Sequence, residues 1–273
     1  MTLSVNTNVS AMLALQQLNA TNRDMNEVQS RINTGLKVAG PKDNGAVYAI
    51  AQNMRSEIAG FEAVKTALDN AVSVVDVGLA AGQSISDLLI EMKEKAVAAL
   101  DQSLETSSRN ALQNDFAALR DQIGTIAANA EFNGFNMLDG SASSIAVLAN
   151  PDGDTITVSA QNMTTGTAGL ALSALSLATA TNAAAARSAV DSAIGTANQQ
   201  LAQLGTRAKS VEIHQGFVDK LIDSLTAGVG NLVDADLAKE SARLQALQIK
   251  QQLGTQALSI ANQAPQSILG LFG

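Results

Sequence analysis

The chain has 273 residues and is 46% hydrophobic but only 3% aromatic, with no Trp, a single Tyr and no Cys. Apolar content made of Ala, Leu, Val and Ile suits narrow seams between long helices, and the absence of Cys excludes disulfides and thiolate chemistry. A formal charge of −8 excludes the basic stripe that phosphate binding requires, so no nucleic-acid partner is expected.

Residues Met1 to Asn8 have neither a basic n-region nor an apolar h-region, so no cleaved secretory signal is expected and an extracellular role needs another export route. Ala11, Leu18, Met25 and Ile32, with Ala14 and Val28 alongside, repeat every seven residues and predict a first helix. Gly35 and Gly40-Pro41 stop it. A second row, Val47, Met54, Phe61, Leu68, Val75, Gly82, Leu89 and Ala96, predicts a helix over about 43–100, roughly 85 Å long. Leu112, Phe116, Leu119, Ile123 and Ile126 mark a third helix at about 105–130, with Asn133-Gly134 read as a left-handed stop.

Composition changes between about 138 and 180, where Ser, Thr, Gly and Ala dominate. There the turn Asn150-Pro151-Asp152-Gly153 precedes Asp154-Thr155-Ile156-Thr157-Val158-Ser159, which alternates like a strand. Val190, Ala197, Leu204, Val211, Val218 and Leu225 predict a fourth helix at about 183–227. Beyond Gly228 and Gly230 a last amphipathic segment carries Val233, Leu237, Leu244, Leu247, Leu258, Ala261 and Ile268. No window reaches 18 uninterrupted apolar residues, so membrane insertion is not expected.

The expected fold is mainly α: a long-helix coiled-coil hairpin bundle with a small β excursion at its tip. The chain divides into 1–40, a middle region 41–230, and 231–273. The middle helices can cover one another's stripes, whereas each terminal segment offers one narrow stripe and little to pack it on. Neighbouring copies are then the natural partners, through Leu18, Met25, Val28 and Ile32 at one end and Leu237, Leu244, Leu247 and Leu258 at the other.

The candidate chemical sites read as structural. His214 is the only histidine and flanks the fourth seam, which cannot build a zinc site of ordinary composition. Asn150, Asp152 and Asp154 have calcium-loop spacing, but Thr155 stands where the loop needs Gly and Gln161 where it needs Glu, so a turn is expected. Gly78 and Gly82 suggest close helix packing. No catalytic constellation, metal site or cofactor site is found, and no enzyme is expected.

The run Val5-Asn6-Thr7-Asn8-Val9-Ser10-Ala11 resembles the opening of bacterial flagellins, as do Leu36-Lys37-Val38 and Ala49 through Gly60. Glu131 through Gly140 is similar to that family's turn after its second core helix, and Gln248–Gln252, Gly254-Thr255 and Ala261 through Gln266 to its terminal helix. The resemblance implies a hairpin whose paired ends form an inner filament domain and whose middle forms the outer tube. It lacks a large surface domain.

The function so implied is a structural subunit that polymerises through its terminal helices into the flagellar filament and serves motility. Implied with it are an extracellular location, a type III export route without a cleaved signal, and several partners. These are other copies of itself, the flagellar export apparatus, a secretion chaperone, and the filament cap and hook-junction proteins. The rival readings are a hook–filament junction protein, which caps instead of polymerising, and a secreted helical adhesin. Family analogy also suggests O-linked sugars on Thr155, Thr157, Thr164, Thr165 and Thr167, with Ser141, Ser143 and Ser144 nearby.

Overall fold

The structure, a computed structural model, describes residues 7–269, with side chains through residue 263. Five helices and four short strands follow in order: α1 (Val9–Thr34), α2 (Gly45–Ala98), α3 (Thr106–Asn129), β1 (Glu131–Phe132), β2 (Phe135–Asn136), β3 (Ser144–Leu148), β4 (Thr155–Ser159), α4 (Ala180–Val233) and α5 (Leu237–Leu269). The expectation of a mainly α chain built from long helices holds. The described chain separates into two compact units, one of Met1–Ser56 with Ser224–Gly273 and one of Glu57–Asp223. Both α2 and α4 run through both units.

The unit of Glu57–Asp223 closes its own core. The expected seam residues meet there: Leu68, Ile85, Leu89 and Met92 of α2, Phe116 and Ile123 of α3, and Val190, Leu204, Val211 and Val218 of α4 are all buried. Fully burying each such side chain contributes about 1.5–3 kcal/mol. Gly78 and Gly82 do mark close packing. A Cβ at Gly82 would lie 2.7 Å from a Leu201 methyl, and one at Gly78 3.2 Å from Met137.

One 18-residue window of α2 averages a hydropathy of 1.3, enough by length and composition to cross a bilayer. Polar residues are interspersed in it, so it holds no uninterrupted apolar run. A third of that window is buried, and α2 gives Leu68, Ile85, Leu89 and Met92 to the core.

At the end of the bundle where α2 turns into α3, Arg109 is buried and donates to the carbonyls of Ala99 and Asp101, at 2.7 Å for the latter. It holds the turn just past the end of α2, whose carbonyls would otherwise lack partners.

The strands correct two expectations. Asn133 (φ 51°) and Gly134 (φ 80°) do not stop α3, which ends at Asn129. They form the two-residue turn joining β1 to β2, where both central residues need positive φ. The stop comes from Asn136 instead, whose amide donates to the Ala127 carbonyl at 2.8 Å.

The second hairpin pairs β3 with β4 antiparallel from Ser144↔Ser159 to Leu148↔Thr155. It does not sit at the bundle tip but lies along the helices. Its turn reaches His214, whose Nε2 is 2.8 Å from the Ala149 carbonyl oxygen, and Pro151 packs over Gly60. His214 also stacks at a tilt on Phe217, with centroids 5.9 Å apart. Asn150 and Asp154 satisfy each other, through Asn150 Nδ2 to Asp154 Oδ2 at 2.7 Å and Asp154 N to Asn150 Oδ1 at 2.9 Å. This is the expected turn.

In the other unit α4 runs on through Gly228 and Gly230 to Val233, so these glycines are not the break the sequence suggested. Gly228 serves close packing, since a Cβ there would lie 2.7 Å from the Met54 methyl. The break falls at Asp234–Asp236. Asp236 caps α5 by accepting from Lys239 N at 3.1 Å.

The connector 35–44 is fixed by its own polar groups. Gly35 adopts φ 71° after α1, Asp43 accepts from Ala39 N and Gly40 N, and Asn44 accepts from Val47 N at the start of α2. Lys37 N donates to the Val233 carbonyl at 2.7 Å and Ala235 N to Gly35 O at 2.8 Å, tying the two connectors together. Pro265 lies within α5, which continues to Leu269.

Candidate assembly interface

The surface expected to carry assembly lies on α1 and α5. Asn8 caps α1 through Oδ1 to Ala11 N at 3.0 Å, and its Nδ2 donates to the Ala261 carbonyl at 2.7 Å. Leu18 packs on Gly254, where an added Cβ would come within 3.2 Å of its methyl. Gln251 donates to Asn22 at 2.8 Å, and Arg31 reaches Glu240 at 3.3 Å. These contacts set an antiparallel pair, one helix rising as the other falls.

The residues expected to bind neighbouring copies line this internal seam. Val28 (0% exposed) and Leu247 (6%) are buried. Leu18, Met25, Ile32, Leu244 and Leu258 are half-buried, and only Leu237 is exposed. Ile268 lies where side chains are not described. The seam is thin: the fully buried residues of α1 are Thr21 and Val28, and those of α5 among the described side chains are Glu240 and Leu247.

Glu240 is a buried carboxylate held by Arg31, which also takes Glu27 at 2.5 Å. Its second oxygen has no partner among the described residues. Such a pair fixes register more than it adds stability.

A second apolar set was not anticipated. On α5, Ile249, Leu253 and Ile260 are 58–69% exposed, and their spacing of four and seven places them on one stripe turned away from the seam. On α1, Val9, Met12, Leu13 and Leu15 are also exposed. A helix apolar on two sides belongs inside something larger than one helix pair. The spacing of 249, 253 and 260 is visible in the sequence beside the more regular heptad row.

The hydroxyls named for modification differ in access. Thr155, Thr157 and Thr167 are exposed, as are Ser141, Ser143 and Ser144, whereas Thr164 and Thr165 are half-buried. The Thr164 hydroxyl donates to Asn162 Oδ1 at 2.6 Å, and that of Ser141 to Asp139 at 2.7 Å.

Among the described residues no group of three or more His, Cys, Asp or Glu could hold a metal ion. Three ionisable groups are shifted, all in the unit of Glu57–Asp223. A hydrogen bond from Lys93 holds the Asp191 carboxyl below its usual range, one from Ser103 does the same for Asp101, and Asp219 raises Lys65.

Known proteins match both ends of the chain. The family signature described as the bacterial flagellin N-terminal helical region matches residues 5–143, and that of the C-terminal helical region matches 188–272. Flagellin FljK of Caulobacter vibrioides is 56% identical over 272 residues, covering 98% of both chains. A flagellin of Brucella melitensis is 36% identical over 98% of this chain and 99% of its own. A solved structure described as a flagellar hook-associated protein from Vibrio parahaemolyticus has a TM-score of 0.60 over 70% of this chain and all of its own, at 14% identity, and so shares the fold.

Proposed function

The chain belongs to the bacterial flagellin family, a family of structural proteins, and from that premise we propose how its two units divide the work. As a flagellin it is a structural subunit that polymerises into the extracellular flagellar filament and serves motility. In our reading α1 and α5 form the inner part of each subunit, and α2, α3 and most of α4 form the outer tube. The α1–α5 seam selects the internal pairing, and the outer stripe of Ile249, Leu253 and Ile260 with Met12 and Leu13 joins neighbouring copies. Leu237, exposed at the start of α5, lies off that stripe and makes a separate contact with a neighbour. The carrying observation is that large apolar side chains remain exposed on a helix pair whose inner seam is already filled. Removing apolar area from water contributes about 25 cal/mol per Å², so each stripe favours a neighbour.

Export by the flagellar type III route, with its apparatus and a secretion chaperone, suits a chain that must pass unfolded and holds no cysteine. The filament cap and hook-junction proteins are its expected partners at the two ends of the polymer. O-linked sugars are proposed on Thr155, Thr157 and Thr167, whose hydroxyls are accessible. Intact-mass analysis of protein from its native source tests this, and the bare polypeptide mass would end the idea.

Seeded polymerisation of the purified chain, followed by electron microscopy, tests the assembly reading. Long filaments from the parent are expected, with none from a Met12→Asp, Leu13→Asp variant. Normal filaments from that variant would contradict it.

A further inference from the structure

Methionine is an apolar side chain that a mild oxidant turns polar, and the chain holds seven. Met1 lies outside the described residues. Met92, Met137 and Met163 are fully buried in the core of Glu57–Asp223. Met25 and Met54 are half-buried, and the Met54 methyl lies against Gly228. Met12 alone among the described methionines is largely exposed, at 64%.

Met12 follows Val9 by three residues and precedes Leu13, so the three share one face of α1. That face is turned away from the seam, where Leu18 packs on Gly254 and Val28 is buried. Val9 and Leu13 are exposed as well, and no charged side chain occurs from Val9 to Asn22. The patch is therefore neutral and apolar, and a neighbour covering it removes apolar area from water without burying an ion. A sulfoxide at position 12 puts a dipolar S–O group in the middle of this patch. Its oxygen holds water, and covering it without a hydrogen-bond donor is unfavourable.

We propose that Met12 is an oxidation site that gates assembly. Its thioether sulfur attacks one oxygen of hydrogen peroxide, the O–O bond breaks, and an S–O bond forms as water leaves. The sulfur loses two electrons and the peroxide gains them, so the products are methionine sulfoxide and one water. The oxidised monomer keeps its fold, because Met12 is exposed and fills no core position, but its α1 patch no longer accepts a neighbour. In the filament a neighbouring copy covers Met12 and shields the sulfur. The sensitivity thus belongs to chains not yet assembled. The inference rests on the filament reading and on Met12 lying at a contact between copies.

Polymerisation of the untreated chain is scored first, and its failure contradicts the filament reading and this inference with it. Full-length monomer is then exposed to hydrogen peroxide, quenched with catalase and mapped by peptide mass spectrometry. Met12 should gain oxygen at least tenfold faster than Met92, Met137 and Met163, and at least tenfold more slowly in filaments than in monomers. Chain oxidised at Met12 alone, isolated by chromatography, should show at least a tenfold higher critical concentration at unchanged helix content. Methionine sulfoxide reductase should restore it. Met12→Leu removes the target: whatever critical concentration that variant shows untreated, peroxide should leave it unchanged. The singly oxidised parent needs no substitution, so the test stands even where Met12→Leu does not polymerise. Chain oxidised at Met12 that polymerises like the parent, or Met12 that oxidises as fast in filaments as in monomers, overturns the inference while leaving the filament reading intact. Peroxide inhibition of Met12→Leu equal to that of the parent overturns it too.

Discussion

The seam of α2, α3 and α4 and the seam of α1 with α5 are written in the same heptads, yet they end up differently filled. In the unit of Glu57–Asp223, three helices and a hairpin converge, so Leu68, Leu89, Phe116, Ile123 and Val211 reach 0% exposure. On the terminal pair there are only two helices, and Leu18, Met25, Ile32, Leu244 and Leu258 stay half-covered while Ile249, Leu253 and Ile260 stay out. A heptad row states that a helix has a partner. How well that partner covers the row depends on how many elements the chain can bring to it.

The comparison breaks most sharply with charge placed on the outer stripe. Ile249→Asp with Leu253→Asp should abolish polymerisation, raising the critical concentration by roughly a hundredfold or more, because buried unpaired carboxylates cost several kcal/mol each. The thermal transition of the unit of Glu57–Asp223 should be unchanged. Leu244→Asp with Leu247→Asp strikes the inner seam, and should block assembly equally while leaving that transition nearly unchanged. Circular dichroism on the monomers should separate the two pairs, helix content falling only for the seam variant.

Phe116→Ala sharpens the other side. It should destabilise its unit by about 3–5 kcal/mol, read as a shifted denaturant midpoint in the monomer, with the terminal pair untouched.

The smallest effect is a pH dependence confined to the same unit. Lys93 donates to Asp191 at 2.7 Å and holds that carboxyl below its usual range. A carboxylate whose folded pKa is lowered contributes stability that is present above the unfolded value, about 3.9, and lost as pH falls through the folded one. Lys93→Met should therefore lower the melting temperature slightly at pH 7, and the difference should shrink as pH falls below about 4 and be lost once pH has fallen through the lowered folded value. Both groups are well exposed, so added salt should shrink it too.

Much of this was legible from the residues. The period-seven rows located all the long helices, Gly35 ended α1, and the alternation Thr155 to Ser159 found β4. What misled was chemistry with two uses. Asn133-Gly134 suits a helix stop and a tight hairpin turn alike, and only the pairing of Glu131 with Asn136 decides between them. Gly228 reads as a breaker until Met54 is seen lying on it. Of the residues named for assembly, Leu18, Met25, Val28 and Leu247 line the internal α1–α5 seam. The row at 249, 253 and 260 needs the inner seam assigned before its apolar residues stand out as surplus.

The central claim is that the terminal pair is only marginally ordered until neighbours cover it. A two-helix seam with few buried side chains gains little over the cost of ordering its residues, about 1–2 kcal/mol each. Hydrogen exchange on monomer and filament measures this directly. Amides of α1 and α5 should exchange rapidly in the monomer and orders of magnitude more slowly in the filament, while those of Leu68–Met92 and Val190–Val218 should be slow in both. Exchange along α1 and α5 in the free monomer as slow as in those core segments would contradict the account.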